Sequence, residues 1–157
     1  MDSILSYERK LGRYRNISLL GRPGFIVNVY DPLSFDIDLF LSEFESKMLP
    51  KDIYSSAYLY KEFHNSNLIL QGRTFRFRLV GITFRKDVKI SLNEICKLHK
   101  YTWSLIHSCD NWVLANVVGI DTYNRFLGTI FCPKLGDLGQ HLENKFPNLI
   151  EKYKSKS

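Results

Sequence analysis

The sequence predicts one α+β domain that is mainly β, and three observations support this prediction. The 157 residues suffice for one hydrophobic core that needs neither disulfides nor metals to hold it together. Aromatic residues make up 14% of the chain, which is typical of a β-rich core. Several segments also alternate apolar and polar residues with the period of two that strands show.

The segment on which the prediction depends most reads RTFRFRLVGITFRK, residues 73–86. Phe75 and Phe77 alternate in it with Arg76 and Arg78. A strand therefore places the aromatic rings on one face and the guanidinium groups on the other. Such a strand suits the wall of a β-barrel that meets an anion on its outer surface.

A β-hairpin is predicted ahead of this strand. The β-rich run FIVNVY (25–30) ends at Asp31-Pro32, and the run SFDIDLF (34–40) then alternates. The alternation predicts which side chains face the core and which face outward: Phe35, Ile37 and Leu39 inside, Asp36 and Asp38 outside.

Capping signals predict two helices. Ser91 with Glu94 three residues later is a capping-box sequence, and it predicts a helix from 92 to about 108. Asp137 caps a second helix to about 146, which Pro147 restarts or kinks toward Tyr153. The other predicted elements are a basic N-terminal arm (1–24), a single domain (25–154) with an excursion between strands (42–68), strands over 70–82, 112–120 and 125–132, a turn at 121–124 with Asn124 left-handed, and a tail (155–157).

The net charge and the cysteine pattern indicate which partners and which cellular compartment to expect. A net charge of +6 and an isoelectric point near 9.2 favour polyanions, nucleic acid before acidic membrane. Three cysteines without a CxxC spacing argue against a disulfide framework or a zinc site, and favour buried thiols in a reducing compartment. With no signal peptide or membrane span in the sequence, we expect a soluble intracellular protein, cytoplasmic or nuclear.

Three segments resemble the staphylococcal nuclease (thermonuclease-like) family. They are VYDPLS at 29–34, RLVGITFRK at 78–86 and DTYNRFLGTI at 121–130, and the likeness covers residues 25–145. The resemblance implies a five-stranded OB-type barrel with a helix after the third strand and a C-terminal helix. Residues 42–68 then look like an insertion in the family's second hairpin.

The resemblance also implies calcium-dependent phosphodiester hydrolysis, in which two arginines neutralise the charge on the reacting phosphate. Those arginines match Arg78 and Arg125, which would be the catalytic residues if the protein is active. The family's turn aspartate and tyrosine match Asp121 and Tyr123, and the leading aspartate of its first turn matches Asp31.

The carboxylates that hold the metal and activate water do not match. The metal-binding aspartate falls on Leu33, and the second aspartate, the proline and the glutamate fall on Thr83, Arg85 and Lys86. A calcium ion would be repelled by that arginine–lysine pair, and loss of the water-activating group removes orders of magnitude in rate. The sequence therefore favours a non-enzyme, a pseudonuclease.

We accordingly expect a degenerate domain that binds nucleic acid or another phosphate-bearing ligand without a metal or cofactor. The expected binding residues are Arg76, Arg78, Arg85, Lys86, Tyr123 and Arg125. Two alternatives stay open: an active nuclease whose Ca²⁺ is held by Asp31, Asp36 and Asp38, and a protein–protein interaction scaffold. A purely structural interpretation also stays open for two of the arginines, in which Arg78 and Arg125 pair with Asp31 and Asp121.

Overall fold

The computed structural model describes residues 20–41, 55–59, 63–65, 68–121 and 123–152. The strands are β1 Arg22–Asp31, β2 Ser34–Leu41, β3 Ser55–Leu59, β4 Phe63–Asn65, β5 Leu68–Leu79, β6 Ile82–Phe84, β7 Trp112–Ile120, β8 Phe126–Cys132, β9 Gly136–Asp137 and β10 Ile150–Lys152. The helices are α1 Leu92–Ser108 and α2 Leu138–Lys145. Most of the predicted basic arm, the tail and much of the 42–68 excursion lie outside the described residues.

Five strands close into a mixed barrel. Antiparallel pairing joins β5 to β2, β2 to β1, β1 to β7 and β7 to β8. Parallel pairing of β5 with β8 then closes the circle. With two helices packed against it, the fold is α+β and mainly β, and it is compatible with an OB-type barrel.

Shorter strands extend or accompany this barrel. β3 and β4 both pair with β5, and β9 pairs with β8. β6 and β10 form a separate two-stranded ribbon. No helix within the described ranges is long and apolar enough to cross a membrane.

The alternating strands bury the side chains that their period predicts. Phe35, Ile37 and Leu39 of β2 are fully buried, and so are Phe75 and Phe77 of β5. Since side chains alternate along a strand, Asp36 of β2 lies on the outer face with the guanidinium groups of β5. Asp38, predicted to face outward as well, is instead 1% exposed, and the buried Thr74 opposite it on β5 donates a hydrogen bond to it. The predicted hairpin and the two-faced strand are confirmed.

Helix α1 begins with the predicted capping box. The side chain of Ser91 accepts a hydrogen bond from the backbone of Glu94, whose carboxylate accepts one in return. The buried stripe is formed by Leu98, Thr102 and Ile106. Leu92 is exposed because it lies in the first turn, ahead of the part of the helix that packs on the barrel.

Two other expectations are wrong. The strand predicted over 70–82 ends at Leu79 because the chain turns at Gly81, whose φ is +87°. The chain after Pro147 forms no helix toward Tyr153: Ile150 is buried and opposes Phe84, which makes this segment β10. Proline disfavours helical conformation in the residue before it, so α2 ends there and the chain leaves the helical path.

The cysteines are only partly where the composition predicts. Cys109 and Cys132 are buried free thiols, as expected. Cys96 is exposed, because it lies on the outer face of α1 away from the Leu98 stripe.

Gly128 lies where the barrel closes. It opposes Leu79 of β5 on one side and Val117 of β7 on the other. A Cβ atom here would overlap the carbonyl of Asn116 and approach the ring of Phe77 to 2.9 Å. The neighbouring strands can come this close only because residue 128 has no side chain.

We expect Gly128→Ala to lower the free energy of unfolding by about 3 kcal/mol or more, because backbone rather than a flexible side chain must yield. Urea unfolding checks this. The control is Gly81→Ala, which meets open space but takes a positive φ and should cost about 1 to 2 kcal/mol. Equal losses in the two variants would contradict the close packing at the barrel closure.

Candidate phosphate-binding site

The barrel closure brings Arg78 and Arg125 into one place. Arg78 lies near the end of β5, opposite Ser34 of β2 and Leu127 of β8. Arg125 immediately precedes β8. Because β5 and β8 run side by side here, Arg125 lies two residues before the partner of Arg78, and its charge acts on Arg78.

The guanidinium of Arg78 is half-buried and sparsely bonded. Its Nη1 donates to the carbonyl of Leu33 at 3.3 Å. Burial lowers the pKa of Arg78, and the positive charge of Arg125 lowers it further. The negative charges of Asp31 and Asp121 act in the other direction and raise it. Arg78 makes no further hydrogen bond to a described residue, so most of its five N–H groups are left for solvent or a ligand.

Arg125 is bound to Asp121, a buried carboxylate. Arg125 Nε donates to Asp121 Oδ2 at 2.6 Å. The other oxygen, Oδ1, accepts the backbone N–H groups of Tyr123 at 2.8 Å and Arg125 at 2.9 Å. Asn124 has a φ of +62°, as predicted for the turn. Asp121 therefore fixes the loop that carries Arg125, and the structural interpretation of this pair is confirmed.

The second predicted pair is not formed directly. Asp31 Oδ1 accepts the backbone N–H of Leu33 at 2.8 Å, which stabilises the hairpin turn. Its charge acts on Arg78, but no hydrogen bond or ion pair joins the two side chains. Each guanidinium therefore makes one hydrogen bond to a described residue, but Arg125 makes it to a carboxylate and Arg78 only to a backbone carbonyl.

Tyr123 stands beside Arg125 in an open position. Its ring is 74% exposed, and the Arg125 Cζ lies 5.3 Å from the ring centroid. The exposed ring and the half-buried guanidinium form one border of the site.

Arg76 is on the same outer face but is neutralised locally. Its Nε donates to Asp36 Oδ1 at 2.7 Å, and its Nη2 lies 3.4 Å from Asp36 Oδ2. Asn28 Nδ2 donates to the same Oδ2 at 3.3 Å. The guanidinium also lies 3.8 Å from the centroid of the Tyr30 ring.

Arg85 and Lys86 are not in contact with the arginine pair. Arg85 donates to the carbonyl of Pro147 at 2.7 Å and to Glu151 at 3.2 Å, which ties the chain after β6 to β10. Lys86 is exposed, and neither charge is among those that act on Arg78. The expected cationic face thus reduces to two arginines at the barrel closure.

The three candidate metal ligands are each engaged separately. Asp31 caps the hairpin turn, Asp36 holds Arg76, and Asp38 accepts a hydrogen bond from Thr74 Oγ1. Asp38 is 1% exposed, and its Oδ2 has no hydrogen-bond partner. In the described part of the chain, no three histidine, cysteine, aspartate or glutamate residues come together as a metal site.

Tyr30 and Asn28 are the residues of this surface that the sequence reasoning missed. A strict period of two would group Asn28 and Tyr30 with Ile26, which is fully buried, and the β-bulge between Ile26 and Asn28 that turns them outward is not visible in FIVNVY alone. Only the register between β1, β2 and β5 shows that Tyr30 reaches Arg76. That register is not legible in any single segment.

Comparison of the chain with protein-family models, with curated proteins and with solved structures finds no match.

Burial raises the pKa of Asp38 more than its hydrogen bond from Thr74 lowers it. The folded state therefore binds the Asp38 proton more tightly than the unfolded state does. The resulting stability is complete below the ordinary pKa of 3.8, and it is lost as the pH rises through the raised folded value. We expect Asp38→Asn, which resembles the protonated form, to be more stable than the parent at pH 7 by about 1 kcal/mol.

Urea unfolding of both proteins between pH 3 and pH 7 measures this, and the advantage of the variant should shrink toward acid. Asp36→Asn is the matched control, because it removes a carboxylate bonded to Arg76 and should lower stability at neutral pH. An Asp38→Asn variant whose advantage does not grow with pH would contradict the assignment.

Proposed function

We propose that this protein binds a phosphate-bearing ligand, nucleic acid first, between the guanidinium groups of Arg78 and Arg125, and that it does not hydrolyse the ligand. The observation that carries the proposal is that two arginines lie near the parallel β5–β8 pair, where the charge of Arg125 acts on Arg78, and that the Arg78 side chain makes one hydrogen bond, to a backbone carbonyl. Guanidinium forks match phosphate oxygens in geometry and charge.

The electrostatics of the pair support an anion rather than a cation as ligand. The positive charge of Arg125 repels that of Arg78 and thereby lowers the pKa of Arg78. Asp121 is already shared between Arg125 and two backbone N–H groups. A bound phosphate would relieve the repulsion between the two guanidinium groups and accept hydrogen bonds from the unused N–H groups of Arg78.

The residues at the family's carboxylate positions support the non-catalytic part. Leu33 is fully buried, so this position presents an apolar side chain to the core and no oxygen to a metal. Lys86 is exposed, and Arg85 is held by Glu151. The likeness to staphylococcal nuclease is part of this proposal, and it supplies the barrel type and the positions of both arginines.

An intracellular location, cytoplasmic or nuclear, belongs to the same proposal. Burial, with the neighbouring Cys109, raises the pKa of the Cys132 thiol to about 12. Such a thiol stays protonated and unreactive at neutral pH. Two buried free cysteines inside one core suit a reducing compartment.

The test is a combined binding and cleavage assay. Labelled single-stranded DNA and RNA of about 12 nucleotides, a length such barrels bind, are incubated at about 50 mM salt with EDTA and separately with calcium. We expect binding without cutting in both, and about tenfold weaker binding for Arg78→Gln, with a shallower dependence on salt. Arg78→Lys should recover part of the affinity, since it keeps the charge but not the fork.

Arg78 is a sharper probe than Arg125, because removing Arg125 leaves Asp121 without its cation and destabilises the turn. Lys97→Gln on the exposed face of α1 is the matched control for net charge and should bind like the parent. Calcium-dependent cutting would overturn the non-catalytic part. Absence of binding would overturn the phosphate site and favour a protein partner.

A further inference from the structure

Tyr30 forms a second aromatic border of the site, because β1 and the loop of Tyr123 lie on opposite flanks of β5. Its ring is 57% exposed at the end of β1, and the Arg76 guanidinium covers one face of it at 3.8 Å. The rest of the exposed ring faces solvent. A planar cation beneath an aromatic ring makes a stable two-layer stack.

This stack is held in place by a chain of hydrogen bonds. Asn28 donates to Asp36, and Asp36 accepts two N–H groups of Arg76. The side chain of Arg76 is only 17% exposed, and so is that of Asp36. Because its support is fixed before any ligand arrives, Tyr30 loses little conformational entropy on binding.

The position of the stack relates it to the arginine pair. Arg76 and Arg78 are two residues apart on the outer face of β5, which separates their Cα atoms by about 7 Å. Tyr30 approaches this face from β1, across β2, whereas Tyr123 approaches it from the loop before β8. The anion seat at Arg78 therefore lies between two exposed tyrosines, each beside an arginine.

We propose that Tyr30, supported by Arg76, is a base-stacking platform, and that the ligand of the arginine pair is single-stranded nucleic acid. This inference rests on the proposed function and specifies the ligand class at the same site. A phosphate at Arg78 and Arg125 carries a nucleoside on each side, and one base stacks on Tyr30 while the other reaches Tyr123.

The chemistry of the two borders favours unpaired nucleic acid over phosphate ligands that offer no free base. A free phosphate or a polyphosphate has no ring to place on either tyrosine. In a duplex the base faces are already stacked on one another, so they cannot cover a protein ring without being extruded. Unpaired strands expose those faces, and stacking on aromatic side chains contributes strongly to their binding.

The experiment compares two probes on four variants of the full chain. The probes are a labelled oligothymidylate of about 12 nucleotides and inorganic polyphosphate of matched charge. We expect Tyr30→Ala to weaken oligothymidylate binding by about five- to tenfold or more and to leave polyphosphate binding unchanged. Tyr30→Phe keeps the ring and should bind both probes like the parent.

Two further variants separate this inference from the proposed function. Arg78→Gln should weaken both probes, because it removes the shared phosphate contact. Phe131→Ala removes an exposed aromatic side chain of β8 and should change neither probe. If Arg78→Gln weakens both probes but Tyr30→Ala changes neither, the platform is wrong while the phosphate site stands.

A third pattern rejects both assignments. If neither Arg78→Gln nor Tyr30→Ala alters the binding of either probe in folded protein, the phosphate site fails together with the platform. Circular dichroism and urea unfolding of each variant establish that it is folded. Ultraviolet cross-linking of a 5-bromouracil oligonucleotide to the parent should label Tyr30, and labelling only elsewhere would overturn the platform.

Discussion

The parallel pairing of β5 with β8 is the interaction on which the rest of the molecule depends. Every other barrel pair is antiparallel, and only this one joins the last barrel strand to the middle of the chain. Gly128 lets β8 approach both of its neighbours, since a side chain there would overlap the carbonyl of Asn116 in β7 and come within 2.9 Å of the Phe77 ring in β5. The same pairing sets Arg78 beside the loop of Arg125, so the closure of the core and the assembly of the site are one event.

The four arginines of this half of the chain show how differently equal charges are used. Arg125 is bound to a buried aspartate and Arg76 to a half-buried one. Arg85 joins β6 to the C-terminal strand. Arg78 alone among these four has no carboxylate partner among the described residues, and its one side-chain hydrogen bond goes to the carbonyl of Leu33. A basic net charge therefore overstates the positive surface at the site, and what matters is which guanidinium has been left with unused donors.

Much of the fold was predictable from local pattern. The alternation around Phe35 and Phe75, the capping box at Ser91 and the strand from Trp112 depend on neighbouring residues in one segment, and all three were found. The ribbon that contains Ile150 was missed, because a three-residue strand is defined by its partner β6 rather than by its own pattern. The support of Tyr30 by Arg76 was missed for the same reason: it depends on the register of three strands.

The placement of Arg78 and Arg125 on two different segments has a consequence for the stability of the barrel. Arg78 belongs to β5 and Arg125 to the segment that enters β8, and the two strands touch along only three residue pairs. An anion held by both guanidinium groups would bridge those strands outside the core. A ligand that binds only the closed barrel stabilises the closed state by its binding free energy. Occupancy of the surface would thus act as a reversible cross-link, and the barrel would be hardest to open when it is carrying its ligand.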